Sequence, residues 1–197
     1  MCLFVEAIKL KDGALYRLKY HQKRVNTAFE KFFPNETTIN LFDELNQILL
    51  PQSGIYKCRI VYNDSVQSIE FTPYLMREIK TLKLVETEIE TLVYKLEDRR
   101  AYNIAYEKRS DCDDVLMVKN GFITDTSYSN VALFDGKNWH TPRTPLLYGT
   151  NRAELLEKGI IVEKDIKVSD LKNYQRIAIF NAMIEFGELV LDIKNIL

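Results

Sequence analysis

Residues 121–134 read GFITDTSYSNVALF and contain the most informative pattern of the chain. It opens with a glycine that signals a turn, and the β-rich run 122–124 follows it. An acidic residue, Asp125, comes next, and a short polar stretch leads to Asn130. The apolar run 131–134 then predicts another strand. Taken alone, Asp125 is typical of a turn or capping aspartate, so its meaning depends on the segments around it.

A lysine segment lies upstream of this stretch. Lys95 stands in LVYKLEDR, residues 92–99, between a strand-like apolar run and a predicted helix rich in Arg, Tyr and Ala. Arg99 follows the lysine by four residues. Taken alone, Lys95 is typical of a solvated surface lysine.

Further segments place polar residues at the ends of predicted elements. The loop LYGTNR, residues 147–152, follows HTP at residues 140–142 and precedes a helix predicted to end at Gly159. A helix start suits a phosphate because its N–H groups are unpaired donors at the positive end of the dipole. The basic segment RLKYHQKRV, residues 17–25, leads into the first predicted helix, and IAIFNAM, residues 177–183, contains a predicted strand end.

In their order along the chain, these segments resemble the class IV aminotransferase family of pyridoxal 5′-phosphate (PLP) enzymes, in its aminodeoxychorismate lyase-like branch. The resemblance extends over about residues 4–183. It implies an α+β, two-lobed fold of type IV, similar to D-amino acid aminotransferase. We expect an N-terminal α/β sandwich lobe over residues 1–86 and a C-terminal, β-rich, PLP-binding lobe with helices over residues 87–197.

The resemblance also implies roles for single residues. Lys95 takes the position of the catalytic lysine that carries PLP as a Schiff base. Asp125 takes the position of the acid that pairs with the pyridine nitrogen, and Arg24 that of the phosphate-binding arginine in His-x-x-Arg. We expect His21 to be a packed or capping residue. The expected cofactor-binding residues are Arg24, Asp125, Asn130, Gly149, Thr150, Asn151, Asn181 and Ala182.

Several positions depart from the family pattern. Asp125 stands where the family normally has a glutamate, whose side chain is one methylene longer, so the ring or the strand is expected to shift slightly. Asn151 replaces a threonine. Arg100 stands where branched-chain enzymes have a tyrosine that touches the cofactor. We expect Arg152 to support its loop.

Two reactions share this resemblance. The pair Asp98-Arg99 is closer to the lyase branch, which predicts cleavage of 4-amino-4-deoxychorismate to 4-aminobenzoate and pyruvate. The alternative within the family is an amino-acid transaminase of the branched-chain or D-amino acid type. An alternative from another class is a non-catalytic homologue that acts as a binding module, suggested by the replacements at Asp125 and Asn151. Retention of Lys95 and Arg24 favours an enzyme.

Composition is consistent with this reading. Of the 197 residues, 46% are apolar and 28% charged, which is typical of globular proteins. The 27 basic and 28 acidic residues give a net charge of -1 with no long charged block, so neither nucleic acid nor membrane is predicted as a partner. The chain has only two histidines, which are few for a metal site built from histidine and cysteine, and no metal is predicted.

The expected setting is the cytoplasm. The three cysteines are widely spaced, as in reduced proteins, and Glu6 and Lys9 interrupt the apolar start that a signal peptide needs. The resemblance implies a homodimer acting on a small-molecule amino-acid or aminodeoxychorismate-type substrate. The chain is shorter than typical members, so we expect the extra N-terminal strand and some loops to be missing.

Overall fold

The computed structural model describes residues 2–197, and the chain forms two compact units. The first unit contains the described residues up to Met76 together with Val93–Asp98. The second contains Arg77–Leu92 and Arg99–Leu197. The chain therefore passes between the units three times. The division into lobes over residues 1–86 and 87–197 stays a prediction.

An antiparallel sheet forms the centre of the first unit. Its strands are β1 (Phe4–Lys11), β2 (Ala14–Leu15), β3 (Ile55–Tyr62) and β4 (Val66–Pro73), in the spatial order β2-β1-β3-β4. The apolar runs 3–10 and 14–18, with a turn signal at residues 11–13 between them, predict a hairpin, and the pairing of β1 with β2 confirms it. The turn residues Asp12 and Gly13 both have positive φ. The second strand is shorter than predicted because Arg17 turns the chain at φ 58° and a helix begins at the next residue.

Helix α1 (Leu18–Phe32) packs its apolar face on this sheet, and α2 (Leu41–Asn46) follows it. Phe29 stacks on Tyr62 of β3, with ring centroids 6.3 Å apart, and Tyr62 stacks in turn on Phe4 at 5.5 Å. The predicted first helix is confirmed. The apolar residues Leu41, Leu45, Ile48 and Leu49 predict a second helix that ends at Pro51. In the structure α2 ends at Asn46, and Leu49 is 93% exposed.

The second unit contains two sheets. The three-stranded sheet consists of β5 (Leu82–Glu86), β6 (Asp114–Lys119) and β7 (Phe122–Thr126), in the order β5-β6-β7. The five-stranded sheet consists of β8 (Asn130–Phe134), β9 (Trp139–Pro142), β10 (Val162–Lys164), β11 (Arg176–Phe180) and β12 (Val190–Asp192), in the order β10-β9-β8-β11-β12.

One predicted strand lies in the other unit. The sequence predicts a strand over residues 80–85 that completes the N-terminal lobe, but β5 pairs in parallel with β6 from Leu82 to Glu86. Five of the six residues of β6 are buried, and its other edge pairs with β7, so β5 supplies the second partner of a central strand. Parallel pairing requires a long connection, and helix α3 (Arg100–Glu107) lies within it.

Helix α4 (Thr150–Glu157) packs beside the five-stranded sheet. Leu155 of α4 contacts a cluster that includes Ala132 of β8 and Phe180 of β11. The sequence predicts strands over residues 115–118, 122–124, 131–134, 139–141, 160–164 and 176–180 and a helix over about residues 152–158, and β6 to β11 and α4 confirm them. The α+β class is confirmed as well, whereas the short edge strand β12 is not predicted. Within residues 2–197, no helix is long and apolar enough to cross a membrane.

Candidate functional site

The backbone of Lys95 is fixed beside β1. The carbonyl oxygen of Lys95 accepts a hydrogen bond from the Val5 N–H at 3.0 Å, and the Glu97 N–H donates to the Leu3 carbonyl at 2.9 Å. Leu96 forms a bridge with Phe4. These bonds hold the base of the Lys95 side chain, which is half-buried, against the strand that also carries Glu6.

Glu6 is a buried carboxylate on β1 that contacts two residues of α1. Arg24 donates from Nε to Glu6 Oε1 at 2.8 Å and from Nη2 to Glu6 Oε2 at 2.6 Å. His21 Nδ1 lies 2.5 Å from the same Oε2. Residues three apart share one helix face, which is why His21 and Arg24 both reach Glu6. Glu6 and His21 have no exposed surface, and Arg24 is 7% exposed.

The charges of this cluster balance. Burial opposes ionisation of Glu6, but the Arg24 charge and the hydrogen bonds from His21 and Arg24 outweigh it and lower the Glu6 pKa to about 2. Burial lowers the pKa of His21, although Glu6 opposes this, and the nearby charges of Arg24 and Lys95 lower it further. The cluster therefore holds an anion, a cation and a neutral imidazole near neutral pH.

Asp125 lies in β7, one residue before the strand ends, and is buried. The Asn130 side-chain amide donates to Asp125 Oδ1 at 2.8 Å, and the Leu147 N–H donates to Asp125 Oδ2 at 2.9 Å. Among residues 2–197, Asp125 has no ion-pair partner. Its carboxylate is thus held by neutral donors alone.

Burial raises the pKa of the Asp125 carboxyl to about 6, although the hydrogen bonds from Asn130 and Leu147 and the charge of Arg152 oppose the rise. A buried carboxylate without a cationic partner is stabilised by any cation placed against it. The protonated nitrogen of a heterocyclic ring is one such cation.

Gly149 precedes helix α4 as its N-cap and has no side chain to cap the helix. The first bond of the helix runs from the Ala153 N–H to the Gly149 carbonyl at 3.0 Å. The N–H groups of Thr150, Asn151 and Arg152 stand at positions that have no acceptor within the helix. The start of α4 therefore offers an anion the backbone N–H groups of Asn151 and Arg152 at the positive end of the helix dipole.

The side chain of Asn151 is hydrogen-bonded to the turn after β11. Its amide donates to the carbonyls of Asn181 at 2.8 Å and Ile184 at 3.1 Å. Asn181 in turn donates to Ser129 Oγ at 2.9 Å, and Ala182 lies half-buried in the same turn. Asn151 therefore links the start of α4 to this turn and leaves its backbone N–H for an anion.

Arg152 supports its loop, as predicted. Its Nη2 donates to the Pro142 carbonyl at 2.9 Å and to Glu163 Oε1 at 2.7 Å, and the residue is buried. These contacts connect the first turn of α4 to the last residue of β9 and to the middle of β10.

The structure gathers the predicted residues into groups. In the first unit, Arg24 contacts Glu6, and Lys95 lies near His21. In the second unit, Asp125 contacts Asn130, Gly149 lies against Asn130, and Asn151 contacts Asn181 beside Ala182, with Thr150 at the start of α4.

Sequence reasoning missed two members of these groups. In the sequence, Glu6 counts only as an interruption of an apolar run. A carboxylate inside a predicted buried strand needs a polar partner, and this requirement was a signal for the cluster. The Leu147 contact is made by a backbone N–H. No side-chain pattern could have found it.

A family model, amino-transferase class IV, matches residues 3–189. A Haemophilus influenzae protein of uncharacterised function is 32% identical over 181 residues, which cover 90% of this chain and 96% of the relative. A Schizosaccharomyces pombe protein proposed to be an aminodeoxychorismate lyase is 29% identical over 195 residues, covering 88% of this chain and 83% of the relative.

Solved structures agree with the fold. A Haemophilus somnus protein proposed to be a 4-amino-4-deoxychorismate lyase superposes with a TM-score of 0.83 at 29% identity, covering 94% of this chain and 98% of the other. A Mesorhizobium loti protein proposed to be an amino-acid aminotransferase superposes with a TM-score of 0.80 at 21% identity over the full length of both chains. The predicted type IV fold is therefore confirmed.

Proposed function

Because this chain belongs to the amino-transferase class IV family, we propose that it is a PLP-dependent enzyme that cleaves 4-amino-4-deoxychorismate to 4-aminobenzoate and pyruvate. The observation that carries the proposal is the buried Asp125 carboxylate, which is held by two neutral donors and has a raised pKa. Enzymes of this family need an anion against the pyridine nitrogen of PLP.

The polar groups of the chain fit PLP chemically. The Asp125 carboxylate suits the ring nitrogen, since a cation there would offset the cost of its burial. The N–H groups of Thr150 and Asn151 suit the phosphate. Arg24 is proposed as a second phosphate ligand, because its Nη1 takes part in neither hydrogen bond to Glu6. Lys95 supplies the amine that would hold the cofactor.

When bound, PLP acts as an electron sink that stabilises negative charge at the α-carbon of an amino acid. The residues of this chain prepare that chemistry. Asp125, ionised, would keep the ring nitrogen protonated. The Lys95 amine, once released by the substrate, would take the proton from the α-carbon, so no second base is needed. Glu6 holds the guanidinium of Arg24 in one orientation through two hydrogen bonds.

Two observations support the lyase reaction over transamination. The S. pombe and H. somnus proteins described above, both proposed to be lyases, are 29% identical to this chain. Arg99, which follows Lys95 in the lyase-like pattern, donates from Nη2 to the Ser127 carbonyl at 2.6 Å. Its guanidinium also lies 4.6 Å from the centre of the Tyr128 ring. Arg99 thereby fixes the short polar stretch that follows Asp125.

The reaction is tested by giving the PLP-loaded protein 4-amino-4-deoxychorismate and measuring 4-aminobenzoate and pyruvate. We expect the two products in equal amounts, and none from Lys95→Ala. Lys137→Ala, which changes an exposed lysine in a turn, is the matched control and should retain wild-type turnover. Amino transfer to a 2-oxo acid without 4-aminobenzoate would make the chain a transaminase. Turnover of neither substrate class would contradict the catalytic proposal and favour a binding module.

The homodimer stays a prediction that rests on the family resemblance, and the cytoplasmic location stays a prediction that rests on the cysteine spacing and the interrupted apolar start.

A further inference from the structure

Hydrogen bonds form a closed ring around the Asp125 carboxylate. The Asn130 Nδ2 donates both of its hydrogens, one to Asp125 Oδ1 at 2.8 Å and one to the Leu147 carbonyl at 2.8 Å. The Leu147 N–H closes the ring by donating to Asp125 Oδ2 at 2.9 Å. Each carboxylate oxygen therefore has at least one fixed donor, and the carboxylate cannot rotate about its Cβ–Cγ bond without breaking both of these bonds.

Gly149 keeps the Asn130 amide in this position. A Cβ atom at residue 149 would lie 2.1 Å from Asn130 Oδ1 and 3.2 Å from Asn130 Cγ, which is an overlap. The backbone of Gly149 has φ -72° and ψ 149°, a conformation that any residue adopts. Glycine is therefore required here for space and not for backbone freedom. Any larger residue would push the Asn130 amide away from Asp125.

We propose that Asn130 is a positioning residue, which together with Leu147 and Gly149 forms a clamp that sets the direction in which the Asp125 carboxylate faces a bound cation. The inference rests on the proposed function, in which that cation is the protonated ring nitrogen of PLP. It replaces the direct cofactor contact expected for Asn130 with an indirect role through Asp125.

Direction matters at this position because aspartate has a short reach. A charge-assisted hydrogen bond is strong only within a narrow range of distance and angle. A glutamate adjusts its reach through one more rotatable bond, whereas Asp125 depends on the orientation that its neighbours impose. The clamp donors also oppose the rise in the Asp125 pKa that burial causes. The other titratable groups that interact with Asp125 are Arg152 of α4 and Tyr102 of α3.

The clamp is tested first in the protein without PLP, by carboxyl ¹³C NMR titration of Asp125 in the full chain. The variants are Asn130→Ala, which removes the donor, and Gly149→Ala, which displaces it. Both should raise the Asp125 pKa by about one unit, since a hydrogen bond to a charged group is lost. The matched control is Asn138→Ala, at an exposed asparagine in a turn, and it should leave the titration unchanged.

The second readout is the visible absorption spectrum of each variant titrated with PLP. We expect both clamp variants to bind PLP about tenfold more weakly than wild type, and the pH transition of the absorption band to shift. Asn138→Ala should bind as wild type does. Circular dichroism checks that each variant folds. If Asn130→Ala does not fold, Gly149→Ala, which retains the asparagine, tests the clamp by itself.

The outcomes separate the clamp from the proposed function. Clamp variants that match wild type in the Asp125 titration and in PLP binding would overturn the inference while leaving the function intact. A wild-type protein that binds no PLP, together with the expected shift of the Asp125 pKa in both variants, would overturn the proposed function and leave the clamp standing.

Discussion

The Asp125 carboxyl makes the stability of the PLP-free protein depend on pH. Its pKa rises on folding from the ordinary 3.8 to about 6 because the group is buried. Well below pH 3.8 the carboxyl is protonated in both states and carries no penalty. Between pH 3.8 and 6 it ionises in the unfolded state while the folded state keeps it protonated, so stability falls with rising pH, and above pH 6 the full cost is about 3 kcal/mol, from 1.36 kcal/mol per pKa unit.

The comparison of wild type with Asp125→Asn isolates this effect. Urea unfolding between pH 4 and 7 should show the variant gaining about 3 kcal/mol relative to wild type as the pH rises. Loss of one clamp hydrogen bond in the variant adds an offset that does not change with pH. A difference that is constant over this range would contradict the raised pKa.

Glu6 has the opposite dependence, because its folded pKa is lowered from 4.5 to about 2. Its ionisation contributes stability above pH 4.5 that is lost as the pH falls toward 2. Glu6→Gln leaves the buried guanidinium of Arg24 without its counter-charge, and we expect the unfolding free energy to drop by about 3 kcal/mol at pH 7. Glu36→Gln, at an exposed glutamate, is the control and should change little. Equal losses of unfolding free energy in the two variants would show that the contact of Glu6 with Arg24 does not stabilise the fold.

At the scale of elements, local patterns predicted most strands and helices. Alternating apolar residues and the Asp12-Gly13 turn were sufficient for the hairpin of β1 and β2. The spacing of Val25, Ala28 and Phe29 was sufficient for α1. The placement of β5 was not predictable in this way, because its parallel partner β6 lies 28 or more residues away in the chain. Local signals carry no information about such pairing.

The packing of α1 on the first sheet is open to a direct test. Phe29 is 1% exposed and packs between Phe33, at 5.2 Å, and Tyr62. Phe29→Ala should lower the unfolding free energy by about 3 to 5 kcal/mol, through lost burial and the cavity left behind. Phe42→Ala is the matched control, since Phe42 of α2 is 58% exposed, and its effect in the same urea titration should be small. Comparable losses for the two variants would mean that α1 is not held by this core.

At the scale of the whole molecule, the order of a few polar residues was enough to predict the family. Lys95, Asp125 and the loop at Gly149 carried the resemblance, and the family model covers residues 3–189. The groups that hold these residues in position were less predictable. Glu6 is distant in sequence from Arg24, and the Leu147 donor belongs to the backbone, so both become visible only when the chain is folded.

Whether Lys95 holds PLP is measured by the visible spectrum of the purified protein with PLP, before and after borohydride, followed by peptide mapping. Wild type and Lys137→Ala should be yellow, and borohydride should fix the cofactor covalently on the peptide that contains Lys95. Lys95→Ala should not be fixed. A wild-type protein that stays colourless with added PLP, or a label on another lysine, would contradict the proposal that Lys95 holds PLP.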